Sequence, residues 1–188
     1  MKTIVYFVRH AQSDNGHKEE MTRPLTPKGM EDRMLALAYL KDKPVKAVYS
    51  SPYLRAVTTV QPLAEHLGLE VVPVDGFRER DTGDITGIDN FAVRQWADKA
   101  FAAPGGESIG RVQARVAEAL QPLLEKHTGE AFAVGCHGTM LGATVNHFDN
   151  SFDYEAFGPY RSLMPWIVEM TFEQGVCTHV NMVDPFKV

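Results

Sequence analysis

The chain has 188 residues, of which 44% are hydrophobic and 23% charged, so it can bury a proper core and has the composition of a globular protein. Its formal net charge of -5 argues against nucleic acid or an anionic membrane as a partner. Two cysteines are too few for a disulfide framework, and no stretch of the sequence resembles a signal peptide or a membrane span. We therefore expect a cytoplasmic protein with a single domain over residues 1–188.

The first predicted elements are a strand and a helix. Residues 4–8 form an apolar run that is typical of a buried strand. Thr26 and Pro27 then supply a capping residue followed by proline at the first helical position, and we expect this helix to end near Leu40. Three residues at helical spacing are expected to face the core from this helix: Met30, Met34 and Leu37.

The next segment repeats this order of strand and helix. Residues 45–49 predict a strand, Ser51-Pro52 repeats the signal of a cap followed by proline, and the second helix is expected to stop at Gly68. Residues 69–74 predict a third strand that is buried on both faces. Residues 75–90 form a long irregular segment, and such segments are often functional or mobile.

The second half of the chain continues the alternation and ends in a hairpin. Ser108 is expected to cap a strongly amphipathic helix, whose apolar stripe consists of Ile109, Val112, Val116, Leu120 and Leu123. The other predicted elements are a short helix over 91–101, a strand over 131–136, a helix over 138–148 and hairpin strands over 166–172 and 176–182. Alternating strands and helices predict an α/β fold, a three-layer α/β/α sandwich with a largely parallel central sheet.

Two histidines, His10 and His137, directly follow predicted buried strands. Ligands of an open α/β sheet bind outside the carboxyl ends of its strands, so the two imidazoles can share one pocket. Arg9 precedes His10, and Arg55 lies in the first turn of the second helix, so both bring cations to the same edge. This cluster suits a phosphoryl group, because a neutral imidazole can attack phosphorus and a guanidinium binds phosphate oxygens in pairs. Gly138 opens a helix whose backbone amides favour an anion.

Each of these residues, taken alone, also fits a structural role, since a lone histidine after a strand is commonly a hydrogen-bonding residue. The sequence contains no phosphate-binding loop, nucleophile elbow or zinc-binding helix motif. The pairs Cys136-His137 and Cys177-Thr178-His179 match no common zinc spacing. We therefore predict that the protein uses no metal and no cofactor, and that Cys136 is a buried free thiol.

Six segments of the chain carry motifs in a fixed order. They are VRHAQS at Val8–Ser13, PLTPKG at Pro24–Gly29, SSPYLRAVTT at Ser50–Thr59, an acid-bearing loop at Glu79–Gly87, PGGES at Pro104–Ser108, and HG at His137-Gly138. Together they span most of the chain and resemble the histidine phosphatase superfamily, also called the phosphoglycerate mutase-like family. The resemblance implies the fold of that family.

The resemblance also implies a role for each matching residue. His10 would be the nucleophile that becomes phosphorylated, and Glu79 would protonate the leaving oxygen and then activate water. Arg9 and Arg55 would clamp the phosphoryl oxygens, and His137 would stabilise the charge that develops on them. Asn15 and Gly138 are the predicted substrate-binding residues. Asn15 lies one position nearer to His10 than the phosphate-binding asparagine of the family, Ala11 replaces the usual glycine, and Ile85 replaces a frequent aromatic residue.

We therefore predict a metal-independent phosphatase that hydrolyses a small-molecule phosphomonoester through a phosphohistidine on His10. A phosphoglycerate mutase and a protein-phosphohistidine phosphatase remain alternatives. A non-catalytic binder of phosphorylated ligands is a further alternative, but binding alone requires neither a nucleophile nor an acid. The expected partner is a small phosphorylated metabolite, without nucleic acid or membrane, and the oligomeric state is not predicted. The expected specificity residues are Phe91, Trp96, Tyr160 and Arg161.

Overall fold

A six-stranded sheet forms the centre of the structure, a computed structural model that describes all of residues 1–188. Its strands are β1 (Lys2–Arg9), β2 (Val45–Ser50), β3 (Val71–Pro73), β4 (Ala131–Cys136), β5 (Trp166–Glu173) and β6 (Val176–Val183). The α-helices are α1 (Pro27–Leu40), α2 (Leu54–Leu67), α3 (Phe91–Ala97), α4 (Ile109–Lys126), α5 (Gly138–Phe148) and α6 (Tyr154–Phe157). Short 3-10 turns occur at Asp75–Phe77 and Gly158–Tyr160. None of the helices has the length and apolar character needed to cross a membrane.

The order of the strands across the sheet is β3-β2-β4-β1-β5-β6. The first four strands run parallel to one another, while β5 pairs antiparallel with β1 and then with β6. The predicted hairpin between β5 and β6 is confirmed, and its turn uses positive φ angles at Gln174 and Gly175. The parallel strands therefore direct all of their carboxyl ends toward one edge of the sheet.

Successive side chains of the central strands enter two separate cores, as the period of two in a strand requires. Phe7 and Phe132 belong to the core that contains the apolar residues of α4 and α5. Tyr6 and Ala133 belong to the core that contains those of α1 and α2. Helices therefore cover both faces of the sheet, and the predicted three-layer α/β/α sandwich is confirmed.

The predicted helix ends are largely confirmed. The Thr26 hydroxyl accepts a hydrogen bond from the amide of Gly29 (3.0 Å), and the Ser108 hydroxyl accepts one from the amide of Arg111 (3.2 Å). Gly68 ends α2 in the left-handed conformation, with φ at 65°. One end differs: α2 begins at Leu54 rather than at Pro52, and Ser51 does not cap it. The short helix α3 ends at Ala97, before the predicted position.

The prediction for the buried side of α1 is wrong for two of its three residues, whereas Leu37 packs against the core as expected. Met30 and Met34 remain 42% and 46% exposed, and the buried residues of α1 are Gly29, Asp32, Ala36 and Leu40. Two of these buried residues, Gly29 and Ala36, are small, and at Gly29 the backbone of α1 approaches a neighbouring segment closely. A Cβ atom on Gly29 would lie 2.0 Å from the carbonyl oxygen of Gln12. The packed side of this helix therefore combines a close backbone approach at Gly29 with the burial of Ala36 and Leu40 in the core.

The prediction for the third strand is also wrong in part. β3 has only three residues, and it pairs only with β2, so it forms an edge of the sheet instead of being buried on both faces. Val72 is accordingly 46% exposed. A six-residue segment rich in apolar residues does not distinguish an edge strand from a central one, because the number of neighbouring strands is a property of the tertiary fold.

Candidate active site

The five residues predicted for catalysis come together at the carboxyl ends of the parallel strands. Arg9 ends β1 and His10 follows it, His137 follows β4, and Arg55 is the second residue of α2. Glu79 lies in the loop after the 3-10 turn of residues 75–77. A cleft of about 510 Å³ is lined by Arg9, His10, Gln12, Ser13, Asp14, Asn15, Glu20, Arg23, Thr26, Arg55, Glu79, Arg80, Thr82, Thr139 and Met164. It thus contains four arginines and three acidic residues, which makes it locally positive despite the net charge of the chain.

His10 is held in the form that a nucleophile requires. Its Nδ1 lies 2.7 Å from the carbonyl oxygen of Ala11, and because a carbonyl can only accept, Nδ1 carries the proton. The Nε2 lone pair is therefore free. Burial lowers the pKa of His10 to about 3, and the nearby positive charges of Arg55 and Arg9 act in the same direction. The imidazole is consequently neutral near neutral pH.

His137 lies behind His10 rather than on the surface of the cleft. The centroids of the two rings are 5.3 Å apart, and His137 is completely buried. Its Nε2 is 2.7 Å from the hydroxyl of Ser51, while its Nδ1 is buried without a hydrogen-bond partner. Burial, reinforced by the positive charge of Arg55, lowers the pKa of His137 well below its ordinary value. Ser51 was interpreted from the sequence only as a helix cap, so its contact with His137 was missed.

Arg9 is fixed by backbone carbonyls. Its Nη1 donates to the carbonyl oxygens of Tyr160 (3.0 Å), Arg161 (2.9 Å) and Leu163 (3.1 Å), whereas its buried Nε has no partner. Gly138 makes room for this side chain, because a Cβ atom at that position would lie 2.9 Å from the Arg9 guanidinium carbon. Gly138 lines a neighbouring cavity of about 260 Å³ rather than the main cleft, so its predicted contact with substrate remains a prediction.

Arg55 already binds an anion of the protein itself. Its side chain is only 3% exposed, and its Nη2 and Nη1 donate to the carboxylate (2.9 Å) and the backbone carbonyl (2.7 Å) of Glu20. The other carboxylate oxygen of Glu20 lies 2.6 Å from Arg23. A single carboxylate thus bridges two guanidinium groups in the cleft. Neither residue was singled out from the sequence, and the only available signal was the position of Arg23 directly before the PLTPKG motif.

The carboxylate of Glu79 sits at the N-terminus of α5. Its Oε1 accepts from the amides of Met140 (2.8 Å) and Arg80 (2.8 Å), and its Oε2 accepts from the amide of Thr139 (3.0 Å). The amides at the start of this helix thus bind a carboxyl group of the protein itself. A carboxylate oxygen offers about two lone-pair sites, so Oε1 is saturated and Oε2 keeps one site for a proton.

The remaining predicted residues lie around the site. Asn15 is exposed and lines the main cleft, and Trp96 and Arg161 line the neighbouring cavity. Phe91 packs under the Arg80 guanidinium (5.2 Å), and Tyr160 stacks on Trp166 (4.8 Å), so both support the site without lining either cavity. No group of three or more histidine, cysteine or acidic side chains is arranged to hold a metal ion. Cys136 is a buried free thiol, as predicted.

Comparisons with known proteins identify a family model and several relatives that match this chain. The sequence model of the histidine phosphatase superfamily (branch 1) matches residues 5–184. The phosphoglycerate mutase-like protein 4 of Arabidopsis thaliana is 35% identical over 113 residues, which cover 54% of this chain and only about half (49%) of that relative. The 2,3-bisphosphoglycerate-dependent phosphoglycerate mutase of Parvibaculum lavamentivorans is 29% identical over 79% of this chain and 81% of its own length.

Two further relatives extend the comparison. A protein of Hydrogenobacter thermophilus that is provisionally named phosphoserine phosphatase 2 is 30% identical over 75% of this chain and 76% of its own length. Among solved structures, the Bacillus stearothermophilus protein YhfR superposes with a TM-score of 0.80 at 23% identity, over 96% of both chains. That likeness concerns the fold.

Proposed function

Since the chain belongs to the histidine phosphatase superfamily, whose members are phosphatases and mutases, we propose that it hydrolyses a small-molecule phosphomonoester through a phosphohistidine on His10. The observation that carries this proposal is the state of His10 in an arginine-rich cleft. Its Nδ1 is tied to the Ala11 carbonyl while its Nε2 is free, and the neutral imidazole needs no base to become a nucleophile.

In the first step, Nε2 of His10 attacks the phosphorus atom, the N–P bond forms, and the P–O bond to the leaving group breaks. The leaving oxygen takes a proton from Glu79, whose Oε2 has the free lone-pair site that can carry it. Meanwhile Nδ1–H of His10 remains bonded to the Ala11 carbonyl, which stabilises the positive charge that develops on the ring. The alcohol then departs.

In the second step, the Glu79 carboxylate takes a proton from water as the water oxygen attacks phosphorus. The N–P bond breaks, inorganic phosphate forms, and His10 returns to its neutral state. Both steps place negative charge on the phosphoryl oxygens. Arg55, which is buried, and Arg9, which is partly buried, are the cations that would balance it, and an arginine fork is worth most where water is excluded. We therefore propose that this reaction needs no metal ion.

A mutase is the second candidate, supported by the similarity to a phosphoglycerate mutase over 79% of the chain. Both activities share the first step and differ in the acceptor, which is water for a phosphatase and a second substrate hydroxyl for a mutase. Product partition separates them. With 3-phosphoglycerate as substrate, release of inorganic phosphate without 2-phosphoglycerate supports the phosphatase, whereas dominant isomerisation would overturn it.

The test of the phosphatase proposal is a rapid-quench measurement with radiolabelled p-nitrophenyl phosphate in the presence of chelator. We expect an acid-labile, base-stable phosphate on the wild-type protein, none on His10→Ala, and an unchanged signal for His66→Ala, which replaces a histidine outside the cleft. A panel of phosphorylated metabolites then identifies the best ester. Label on a serine or aspartate, or turnover that chelator abolishes, would contradict the mechanism.

A further inference from the structure

The PGGES motif contains a buried carboxylate that no step of the proposed reaction uses. Glu107 is only 7% exposed. Its Oε1 accepts from Nε of Arg115 (2.8 Å) and Nη2 of Arg78 (3.0 Å), and its Oε2 accepts from Nη2 of Arg115 (3.1 Å). The Arg115 contacts form a two-pronged pair, a geometry that restricts both side chains to one arrangement.

The same pair binds the backbone of the loop that carries Glu79. Oε2 of Glu107 accepts from the amide of Asp81 (3.1 Å), and the amide of Glu107 donates to the carbonyl of Asp81 (2.8 Å). Arg115 donates from Nη1 to the carbonyl of Gly76 (2.7 Å) and from Nη2 to the carbonyl of Glu79 itself (3.2 Å). Glu107 and Arg115 therefore bind the loop before, at and after Glu79.

A second connection runs from the backbone of Glu107 to the residue after Glu79. The amide group of Gln95 donates to the carbonyl of Glu107 (2.8 Å), and its oxygen accepts from Arg80. By contrast, residues 78–90 contain no helix or strand. A segment without regular hydrogen bonding takes its position from such side-chain contacts.

The side chain of Glu79 is held from the opposite side by the first amides of α5, at 2.8 Å and 3.0 Å. The Glu79 carboxylate can reach these amides only if the backbone of Glu79 stays in the position that its contacts with Arg115 and Glu107 define. A shift of about 1 Å in a catalytic group can reduce a rate by about 10²-fold. The loop contacts on one side and the helix start on the other thus fix the carboxylate in the cleft.

We propose that Glu107 and Arg115 are positioning residues that fix the general acid Glu79, an inference that rests on the proposed function. Neither residue lines the cleft, so neither touches the substrate. Burial opposes ionisation of Glu107, but the hydrogen bonds from Arg115 and from the Asp81 amide outweigh it and lower the pKa of Glu107 below its ordinary value. Glu107 therefore stays ionised throughout the neutral range.

Leaving-group dependence distinguishes positioning from simple stabilisation. Glu107→Gln keeps the shape of the side chain but replaces an anionic acceptor with a neutral amide, which loosens Arg115 and the loop. Alkyl phosphates need a protonated leaving oxygen, whereas p-nitrophenolate departs without one. We expect phosphohistidine formation from glycerol 1-phosphate to fall by about 10- to 100-fold, within the range that general acid catalysis supplies. Formation from p-nitrophenyl phosphate should change less than about threefold, and KM should change little in either case.

A matched control lies on the same helix. The buried side-chain amide of Gln113 donates to the carbonyl of Ala143 (3.1 Å) and the side chain of Asn146 (2.9 Å), away from the loop. Gln113→Ala should lower the melting temperature without changing the ratio of the two phosphorylation rates. Arg115→Lys keeps the charge but loses the fork, so it should reproduce the selective loss if Glu107→Gln does not fold. The double variant should be no more selective than either single variant.

Glu79→Gln is the reference variant, because it removes the proposed acid directly and shows how strongly its loss discriminates between the two esters. If Glu79→Gln discriminates between the two esters but Glu107→Gln and Arg115→Lys slow both equally, the pair only stabilises the fold and the positioning inference is overturned, while the proposed function stands. If Glu79→Gln slows both esters equally, Glu79 is not the acid, and both the acid assignment and the inference drawn from it fail. A selective loss in all three variants, with Gln113→Ala unselective, supports the inference.

Discussion

Replacing Glu20 with glutamine tests whether this carboxylate competes with phosphate for the arginines of the cleft. Glu20 bridges Arg55 (2.9 Å) and Arg23 (2.6 Å), so an incoming phosphoryl group must displace it or share these cations. The carboxylate is 51% exposed, whereas Arg55 is 3% and Arg23 is 18% exposed. In solvent exposure, these ion pairs are therefore intermediate between surface ion pairs and buried ones.

The expected effect follows from these exposures. Each half-exposed ion pair is worth about 0.5–1 kcal/mol, so glutamine removes about 1–2 kcal/mol of competition. That corresponds to about 5- to 30-fold tighter binding of an anion. The gain in anion affinity should lie toward the lower end of this range, because the backbone carbonyl of Glu20 continues to accept a hydrogen bond from Arg55 in the variant.

The assay is the inhibition constant of inorganic phosphate against p-nitrophenyl phosphate hydrolysis, measured at low and high salt. Glu19→Gln is the matched control, because this neighbouring carboxylate carries the same charge but bonds to Thr22 instead of an arginine. Glu20→Gln should lower the inhibition constant and Glu19→Gln should not. An equal shift in both variants would show only a general field effect. Weaker phosphate binding in Glu20→Gln would mean that Glu20 orients Arg55 for phosphate, which refutes the competition argument.

Three further outcomes are expected. Arg55→Lys should lower kcat/KM by about 10²–10³-fold, because a point charge cannot replace a two-pronged donor; a change within about threefold would place Arg55 outside the phosphate site. Gly138→Ala should lower kcat/KM by about 10-fold or more, since the new Cβ would lie 2.9 Å from the Arg9 guanidinium carbon, with unchanged circular dichroism as the check on folding. Because the pKa of His10 is lower in the folded protein than in the unfolded chain, the unfolded chain binds the proton at a higher pH. The free energy of unfolding should therefore fall as the pH drops from 6.5 toward about 3. Urea unfolding across that range should show a shallower decline for His10→Ala, and an identical slope would contradict the buried neutral imidazole.

The sequence predicts the layers of this fold because two periodicities dominate it. Alternation in β1 and β4 sends their residues to two cores, and the stripe on α4 follows helical spacing. The failures have a common cause. The first turn of α1 buries Gly29 because its backbone approaches Gln12, and β3 is exposed because it lies at the edge of the sheet. Both depend on neighbours distant in sequence, which a local pattern does not contain.

The candidate site likewise has a part that the sequence predicts and a part that it does not. His10 and His137 could be placed together because each follows a parallel strand, and the order of elements alone brings those strand ends to one edge. The contacts of Glu20 and Ser51 could not be placed, because they depend on the path of loops. Ser51 lies in a motif that also reads as a helix cap, and only the structure shows that its hydroxyl meets His137 instead.

The start of α5 shows why a sound physical rule still left the site incomplete. Free amides at a helix N-terminus favour an anion, and the sequence locates this helix correctly at Gly138. The rule does not determine whether a ligand or a side chain of the protein binds to these amides. Here the loop held by Glu107 and Arg115 delivers Glu79, more than fifty residues earlier in the chain, to the amides of Thr139 and Met140. The helix dipole therefore serves to hold the carboxylate that we propose as the acid, which leaves the arginines and His10 to meet the phosphoryl group.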